Sequence, residues 1–545
     1  MLKRKGSVET DFLSDSDSET QGTTRDGLSD QHVQLSRGAS YLVLQTLGTN
    51  AITIVTFVIL ARLISTKEMG IWAVLQLIVS ACLTFATWFP SAVTKYVAEN
   101  IANGSKGKAA AVFYQALRAN CLLYAPVIVG MYFGATFLAV HLLRDASYTS
   151  LFQWLAPDVF LDSGLVALGT YTLLGLRKFR EIAVVGLAVG GALRQFLIIL
   201  LVIVTQNLVG LVIGWLISDA VWVGLYFAMI VKVLGRPTFD FPLAKLFHFY
   251  WPLELAQIVG FAQTWFDRIL LVPFVPLATL GVYTAAVTAF AVLKGVSAAV
   301  GNMMFPAFSS IQNKAAGSRN LLDSIAVATR YSNLILTPLA FGLIATAKPS
   351  LTLFVGQSYV GGYIPLAILS VAFAVTIFTT ALSPALLALG ETKPAGAINA
   401  LSVVIGLIAA YPLLPLLGTV GASVARAITI ILGGVLLVPV LSRKIGFHLD
   451  FVLTAKTLFA GCVMAGVVIA IQFVSYSKFL LPLYLLVGVL VYLVMLRIQK
   501  LVNVADLDLI QGLLGGRLSI VIKILGWILI PSNVKTGNTL ASSGQ

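Results

Sequence analysis

Fourteen stretches of about 20 apolar residues, joined by short polar connections, leave this chain little choice of fold. They run roughly over 39–61, 70–90, 111–141, 151–175, 183–205, 208–231, 248–272, 281–308, 332–354, 364–388, 396–417, 420–441, 457–474 and 479–496. A helix of about that length spans the hydrocarbon of a bilayer. Only helices and closed barrels satisfy their own backbone groups there. Composition agrees: 58% of the 545 residues are hydrophobic and 11% are charged, against about 25% charged in soluble domains. The expected fold class is an all-α polytopic membrane protein with about 14 transmembrane helices. The third and eighth stretches are long, so part of each is expected to project beyond the hydrocarbon.

The chain is also written twice. Gly70 in "EMGIWA" matches Gly281 in "TLGVYTA", an offset of 211. Pro90 in "WFPSAV" matches Pro306 in "MFPAFS" (216), Gly175 matches Gly390 (215), and Gly210 matches Gly421 (211). This period is too long for a solenoid unit and spans six helices. Six is even, so both copies enter the membrane from the same side, as parallel repeats related by an axis along the membrane normal. The expected organisation is a six-helix lobe over 38–231, a linker over 232–247, a second lobe over 248–441, and two extra helices within 442–497. Residues 1–37 are acidic, Ser-rich and nearly free of apolar residues, so disorder is expected. Residues 498–545 hold an apolar segment interrupted by Arg517 and Lys523. An interfacial helix followed by a tail is expected there, with a fifteenth span as the alternative for 504–530.

Charge follows the loops. The loops placed inside carry 16 Lys and Arg, among them Lys95, Arg177, Lys232, Lys314 and Lys393; those placed outside carry four, Arg62, Lys67, Arg144 and Lys478. The positive-inside rule then makes both termini cytoplasmic and accounts for the formal charge of +14 without nucleic acid. The three cysteines, Cys82, Cys121 and Cys462, lie apart in apolar stretches and suit packing, not metal. The first 30 residues have no apolar core, so no cleavable signal is expected. "NGSKGKAA" at 103–110 lacks the spacing of a nucleotide-binding loop, and no loop is large enough for a catalytic domain. The sequence therefore excludes ATP hydrolysis within the chain. It predicts a protein that is not an enzyme and has neither cofactor nor metal.

"GASYLVLQTLGTNAITIVTFVILARLISTKEMGIWAV" (38–74) resembles the first hairpin of polysaccharide-biosynthesis flippases, the lipid-linked oligosaccharide branch of the multidrug/oligosaccharidyl-lipid/polysaccharide exporter superfamily. "FPSAVTKYVAENIANG" (89–104), "TWFDRILLVPFVPLATLGVYTAAV" (264–287), "LFVGQSYVGGYIPLAIL" (353–369) and "ALGETKPAGAINA" followed by "LLGTVGASVARA" (388–427) extend the likeness over roughly 38–497. The resemblance implies two six-helix lobes that open alternately to the two membrane sides. It implies movement of a polyprenyl-(pyro)phosphate-linked oligosaccharide from the cytoplasmic to the outer leaflet of a cell membrane, for glycan export. Membrane lipid and the lipid-linked sugar are the implied partners, with a monomer sufficient.

Such a task needs a wet cavity with cations for phosphate, so buried ionisable residues are the candidates. Lys294 lies 13 residues past Gly281, too deep in its helix to reach either interface. Arg194 is central in the fifth stretch, and Arg426 lies about a turn inside the twelfth. Lys294, Arg426 and Arg194 are the expected phosphate ligands. Arg118, Arg268 and Lys348 sit near helix ends, where snorkelling or a local pair serves as well. Asp158 and Asp162 are four apart and share a helix face. Two carboxylates there repel, so one should hold a proton or a cation should sit between them. With Asp219 they are the expected site coupling transport to H⁺ or Na⁺; pairing with Arg194 is the competing reading. Asp267, Arg268 and Glu254 are expected as structural or gate residues. The intramembrane charges sum to −1 in the first lobe and +2 in the second, which points the anionic headgroup to the second. A multidrug exporter of organic cations would share the fold but favours an acidic cavity. A membrane glycosyltransferase or polymerase needs a large loop, and the Asp-x-Asp at 506–508 stands alone.

Overall fold

The computed structural model describes residues 38–502 apart from Ala39, Trp88 and 313–316. The expected tail over 1–37, the loop position of Lys314, the C-terminal segment from 503 and its Asp-x-Asp lie outside the described residues. Among the described residues there are helices and no strand. The first half comprises α1 (Ser40–Leu63), α2 (Thr66–Phe85), α3 (Pro90–Ala102), α4 (Lys106–Phe133), α5 (Ala135–Leu143), α6 (Ala146–Gly175), α7 (Phe179–Thr205) and α8 (Leu208–Leu234). The second comprises α9 (Leu243–Phe274), α10 (Leu277–Gln312), α11 (Gly317–Phe354), α12 (Tyr363–Thr376), α13 (Thr379–Ala388), α14 (Thr392–Leu417) and α15 (Thr419–Ile445). Then follow α16 (Phe451–Val474) and α17 (Leu481–Ile498).

Among the described residues, 13 helices are long and apolar enough to cross a membrane, which makes this a multi-pass membrane protein. They match the expected spans except the seventh. That span is the 32-residue α9, which falls short in apolarity because Glu254, Gln257, Gln263, Thr264, Asp267 and Arg268 lie along it. The segment between the eighth and ninth stretches is largely taken up by extension of α10 and α11.

The two copies of the repeat diverge at their shared proline. In the first copy α2 ends at Phe85, Phe89 takes a left-handed φ of 79°, and Pro90 starts α3. Proline suits a first helical turn, where its missing N–H costs nothing. Thr87 fills the break: its hydroxyl lies 2.6 Å from the Ser163 carbonyl and 2.7 Å from the Tyr124 hydroxyl. In the second copy α10 runs straight through Pro306. At another matched place both copies are irregular. In α6, Phe160–Val166 widens into π-helical turns, while α12 and α13 are separated at Ile377–Phe378.

The chain divides into two compact units: Met1–Leu60 with Val79–Glu254, and Ala61–Ile78 with Leu255–Gln545. The first is packed around Phe113, Tyr226, Ile230, Leu246 and Tyr250. The second holds a core around Phe308, Ile325, Leu382, Leu386 and Leu441. Two helices beyond the repeat join this second unit along α11: Tyr492 donates to the Leu334 carbonyl at 3.1 Å, and Gln472 to the Ala345 carbonyl at 2.8 Å. Residues 61–78 group with the second unit through a glycine contact. A Cβ on Gly70 would strike the Leu277 carbonyl oxygen, and one on Gly281 the Thr66 carbonyl oxygen. The two glycines matched by the repeat thus allow α2 and α10 to touch backbone to backbone.

Candidate functional site

The second unit contains a cavity of about 820 Å³, formed by α9, α10, α12, α13, α14 and α15. α10 supplies Lys294, Ser297 and Asn302 to it; α9 supplies Gln263 and α14 supplies Asn399. Lys294 is the single charged side chain of the lining and is exposed within it. It has no carboxylate partner among the described residues. Hydroxyls and amides provide the other polar groups, and Ser297 and Thr380 hydrogen-bond to each other at 2.9 Å. Phe290, Phe305 and Phe373 add apolar faces. The site is therefore a chamber of mixed lining, apolar walls carrying hydroxyls and amides, with one available cation.

Beside it lies a closed ion pair. Arg426 on α15 donates to Asp267 on α9 at 2.7 Å and to the Thr264 carbonyl at 3.2 Å. Tyr283 on α10 donates to the same carboxylate at 2.5 Å, and the Arg268 amide at 2.9 Å. Asp267 and Tyr283 are fully buried and Arg426 nearly so. A buried charge is tolerated when paired and hydrogen-bonded, and this one ties three helices together. Arg426 does not line the cavity with Lys294. Arg268, its neighbour, lies with its guanidinium 4.5 Å from the Trp265 ring centroid. Tyr283 went unnoticed in the sequence. The signal was present: Asp267 and Tyr283 are equidistant from Val275, at the α9–α10 turn, and an antiparallel hairpin brings such positions face to face.

In the first unit the structure gathers Asp158, Asp162, Asp219 and Arg194. Arg194 lies 3.2 Å from Asp162 and 3.4 Å from Asp219, with its guanidinium 5.4 Å from the Trp215 ring centroid. Both widened stretches of backbone serve this cluster: Asp162 lies inside the π-helical turns of α6, and Arg194 directly follows those at Gly186–Leu193 in α7. Such turns re-aim side chains and recur at functional sites. Asp158 is fully buried, and neither of its carboxylate oxygens has a hydrogen-bond partner among the described residues. Three carboxylates face one guanidinium. If all were ionised, the buried cluster would carry two uncompensated negative charges, which hydrocarbon does not tolerate. Among the described residues no three His, Cys, Asp or Glu side chains are arranged so as to hold one metal ion together.

The other expected site residues are dispersed. Glu254 is buried in α9, with one carboxylate oxygen unpartnered. Arg118 is exposed. Lys348 sits 4.9 Å from the Tyr476 ring centroid.

Residues 59–362 match the model of a family described as polysaccharide biosynthesis protein. Among solved structures the fold is similar to that of the lipid II flippase MurJ in an inward closed conformation, with TM-score 0.66, 16% identity, and coverage of 84% of this chain and 98% of that one. It is also similar to an inward-facing multidrug resistance MATE family transporter of the MOP superfamily (0.61; 15%; 73% and 94%). The Vibrio cholerae MATE transporter VcmN is a third (0.51; 14%; 75% and 97%). At these identities the likeness establishes the fold. A comparison with curated protein sequences found no match.

Proposed function

Because the chain belongs to the family of polysaccharide biosynthesis proteins, we propose that it is a flippase. It moves a polyprenyl-(pyro)phosphate-linked oligosaccharide from the cytoplasmic to the outer leaflet of the plasma membrane by alternating access, with both termini cytoplasmic. One observation carries the reading: Lys294 is the single charged group of a hydroxyl- and amide-rich cavity of about 820 Å³. Phosphate must cross about 30 Å of hydrocarbon. An unpaired ammonium offers it a charge-assisted contact, the hydroxyls and amides replace water around sugar, and the polyprenyl chain stays in lipid. Lys294 is the phosphate ligand, and Arg426 supports it from within its pair with Asp267. Arg194 serves the acidic cluster instead. That cluster, with Asp158 as its surplus charge, binds H⁺ or Na⁺ and couples its gradient to transport. A single chain suffices for this cycle, and no bond of the substrate is broken.

The rival reading, export of organic cations, is opposed by the same observation, because the cavity's only charge repels them. The test is translocation of lipid-linked oligosaccharide in proteoliposomes. Lys294→Gln should slow it about 10- to 100-fold, the worth of one hydrogen bond to a charged group, and Lys294→Arg should restore much of the rate. Unchanged flipping by Lys294→Gln, with the protein folded and inserted, refutes the assignment.

A further inference from the structure

A second cavity, of about 540 Å³, lies apart from the first where α1 ends, α2 begins and α11 ends. Arg62 and Lys478 contribute two cations to it, and Ser65, Ser358 and Tyr359 contribute hydroxyls. Among the described residues no Asp or Glu lines it. Glu68, one turn into α2, is already engaged by the Ser65 amide at 2.7 Å and hydroxyl at 2.8 Å. Arg62 is fixed in place: it donates to the carbonyls of Leu353 and Phe354 in the last turn of α11. A guanidinium has five N–H donors, so this anchoring leaves donors over. Tyr359 is 2% exposed, and its hydroxyl has no hydrogen-bond partner among the described residues. Buried hydroxyls are almost always paired. Tyr359 also borders the cavity.

We infer that this cavity is a second anion site that takes a phosphate group, as a soluble phosphate compound or as the headgroup of an anionic lipid. A tetrahedral oxyanion has enough acceptor oxygens to engage a guanidinium fork, an ammonium and hydroxyls together. A cation would meet Arg62 and Lys478, and an apolar ligand would leave Tyr359 unpaired. The site requires neither Lys294 nor transport, and it goes beyond the proposed flippase cycle.

The experiment uses the full chain in neutral detergent, with thermal unfolding followed against added inorganic pyrophosphate. A parallel arm compares vesicles of phosphatidylglycerol with vesicles of phosphatidylcholine. A ligand of the folded state raises the midpoint saturably. Tyr359→Phe and Lys478→Ala should each raise the half-saturating concentration about tenfold. Tyr359→Phe without ligand should unfold no earlier than the parent, because it deletes an unpaired hydroxyl. In a Lys294→Gln background the response should remain sensitive to Tyr359→Phe and to Lys478→Ala, which separates this site from the larger cavity. Response to pyrophosphate identifies a soluble phosphate compound; response to phosphatidylglycerol over phosphatidylcholine identifies a lipid headgroup. The inference is overturned by no response in either arm, by equal response to the two lipids alone, by undiminished response in both pocket variants, or by a response in the Lys294→Gln background that neither pocket variant weakens.

Discussion

Placing a methyl group on Gly70 tests how the second unit is held together. The added Cβ would meet the backbone oxygen of Leu277. Backbone cannot turn aside as a side chain can, so α2 and α10 must separate by about 1 Å or more to restore contact distance. Overpacking of this kind costs about 1–3 kcal/mol. Alanine returns about 0.5–1 kcal/mol through its better helix propensity, so Gly70→Ala should destabilise by up to about 2.5 kcal/mol. Gly281→Ala, whose Cβ would meet the Thr66 oxygen and lie 2.8 Å from the Gly70 amide nitrogen, should do the same. The pair should cost less than their sum, because one separation makes room for both methyls. Gly466 on α16 is the control: nothing lies within 4 Å of a Cβ there, so Gly466→Ala should be neutral or stabilising. Equilibrium unfolding in mixed micelles would measure all four variants. Additive penalties, or a Gly70→Ala protein as stable as Gly466→Ala, would refute the idea that these helices touch through their backbones.

Two further outcomes concern buried charges. Arg426→Ala strands the Asp267 carboxylate and should cost about 3–5 kcal/mol. Combining it with Asp267→Asn should recover part of that loss in the same unfolding assay; no recovery would mean that Arg426 matters for other reasons. Asp158→Asn removes the unpartnered charge from a cluster of three acids and one base. It should leave stability unchanged or raised, measured by thermal unfolding, and should abolish any dependence of transport on a H⁺ or Na⁺ gradient, measured in vesicles.

Much of the fold was legible because hydrocarbon thickness sets helix length, and apolar runs of that length are hard to misplace. The repeated glycines were legible as a duplication, though not as two residues in contact. Lys294 could be singled out by depth alone, since a lysine mid-helix has nowhere to snorkel. What sequence could not supply was pairing at long range. Arg426 finds Asp267 across 159 positions, and nothing in the local spacing of either announces it. Arg194 carried two readings, and its distances to Asp162 and Asp219 favour the acidic cluster. α3 escaped notice because 13 residues are too few to register as a span. The separation of α12 from α13 falls at Ile377–Phe378, with neither Pro nor Gly to mark it. The mouth lined by Arg62, Tyr359 and Lys478 joins residues from three distant segments, which only folding assembles.

The uninterrupted passage of α10 through Pro306 alters the chemistry one turn earlier. Proline has no amide hydrogen, so the carbonyl of Asn302, four residues before it, loses the donor that would otherwise close the helical ring. Asn302 borders the chamber that holds Lys294. The duplicated proline that starts a new helix in one half thereby leaves a main-chain oxygen without its helical donor in the other, a gap that Pro306→Ala would close.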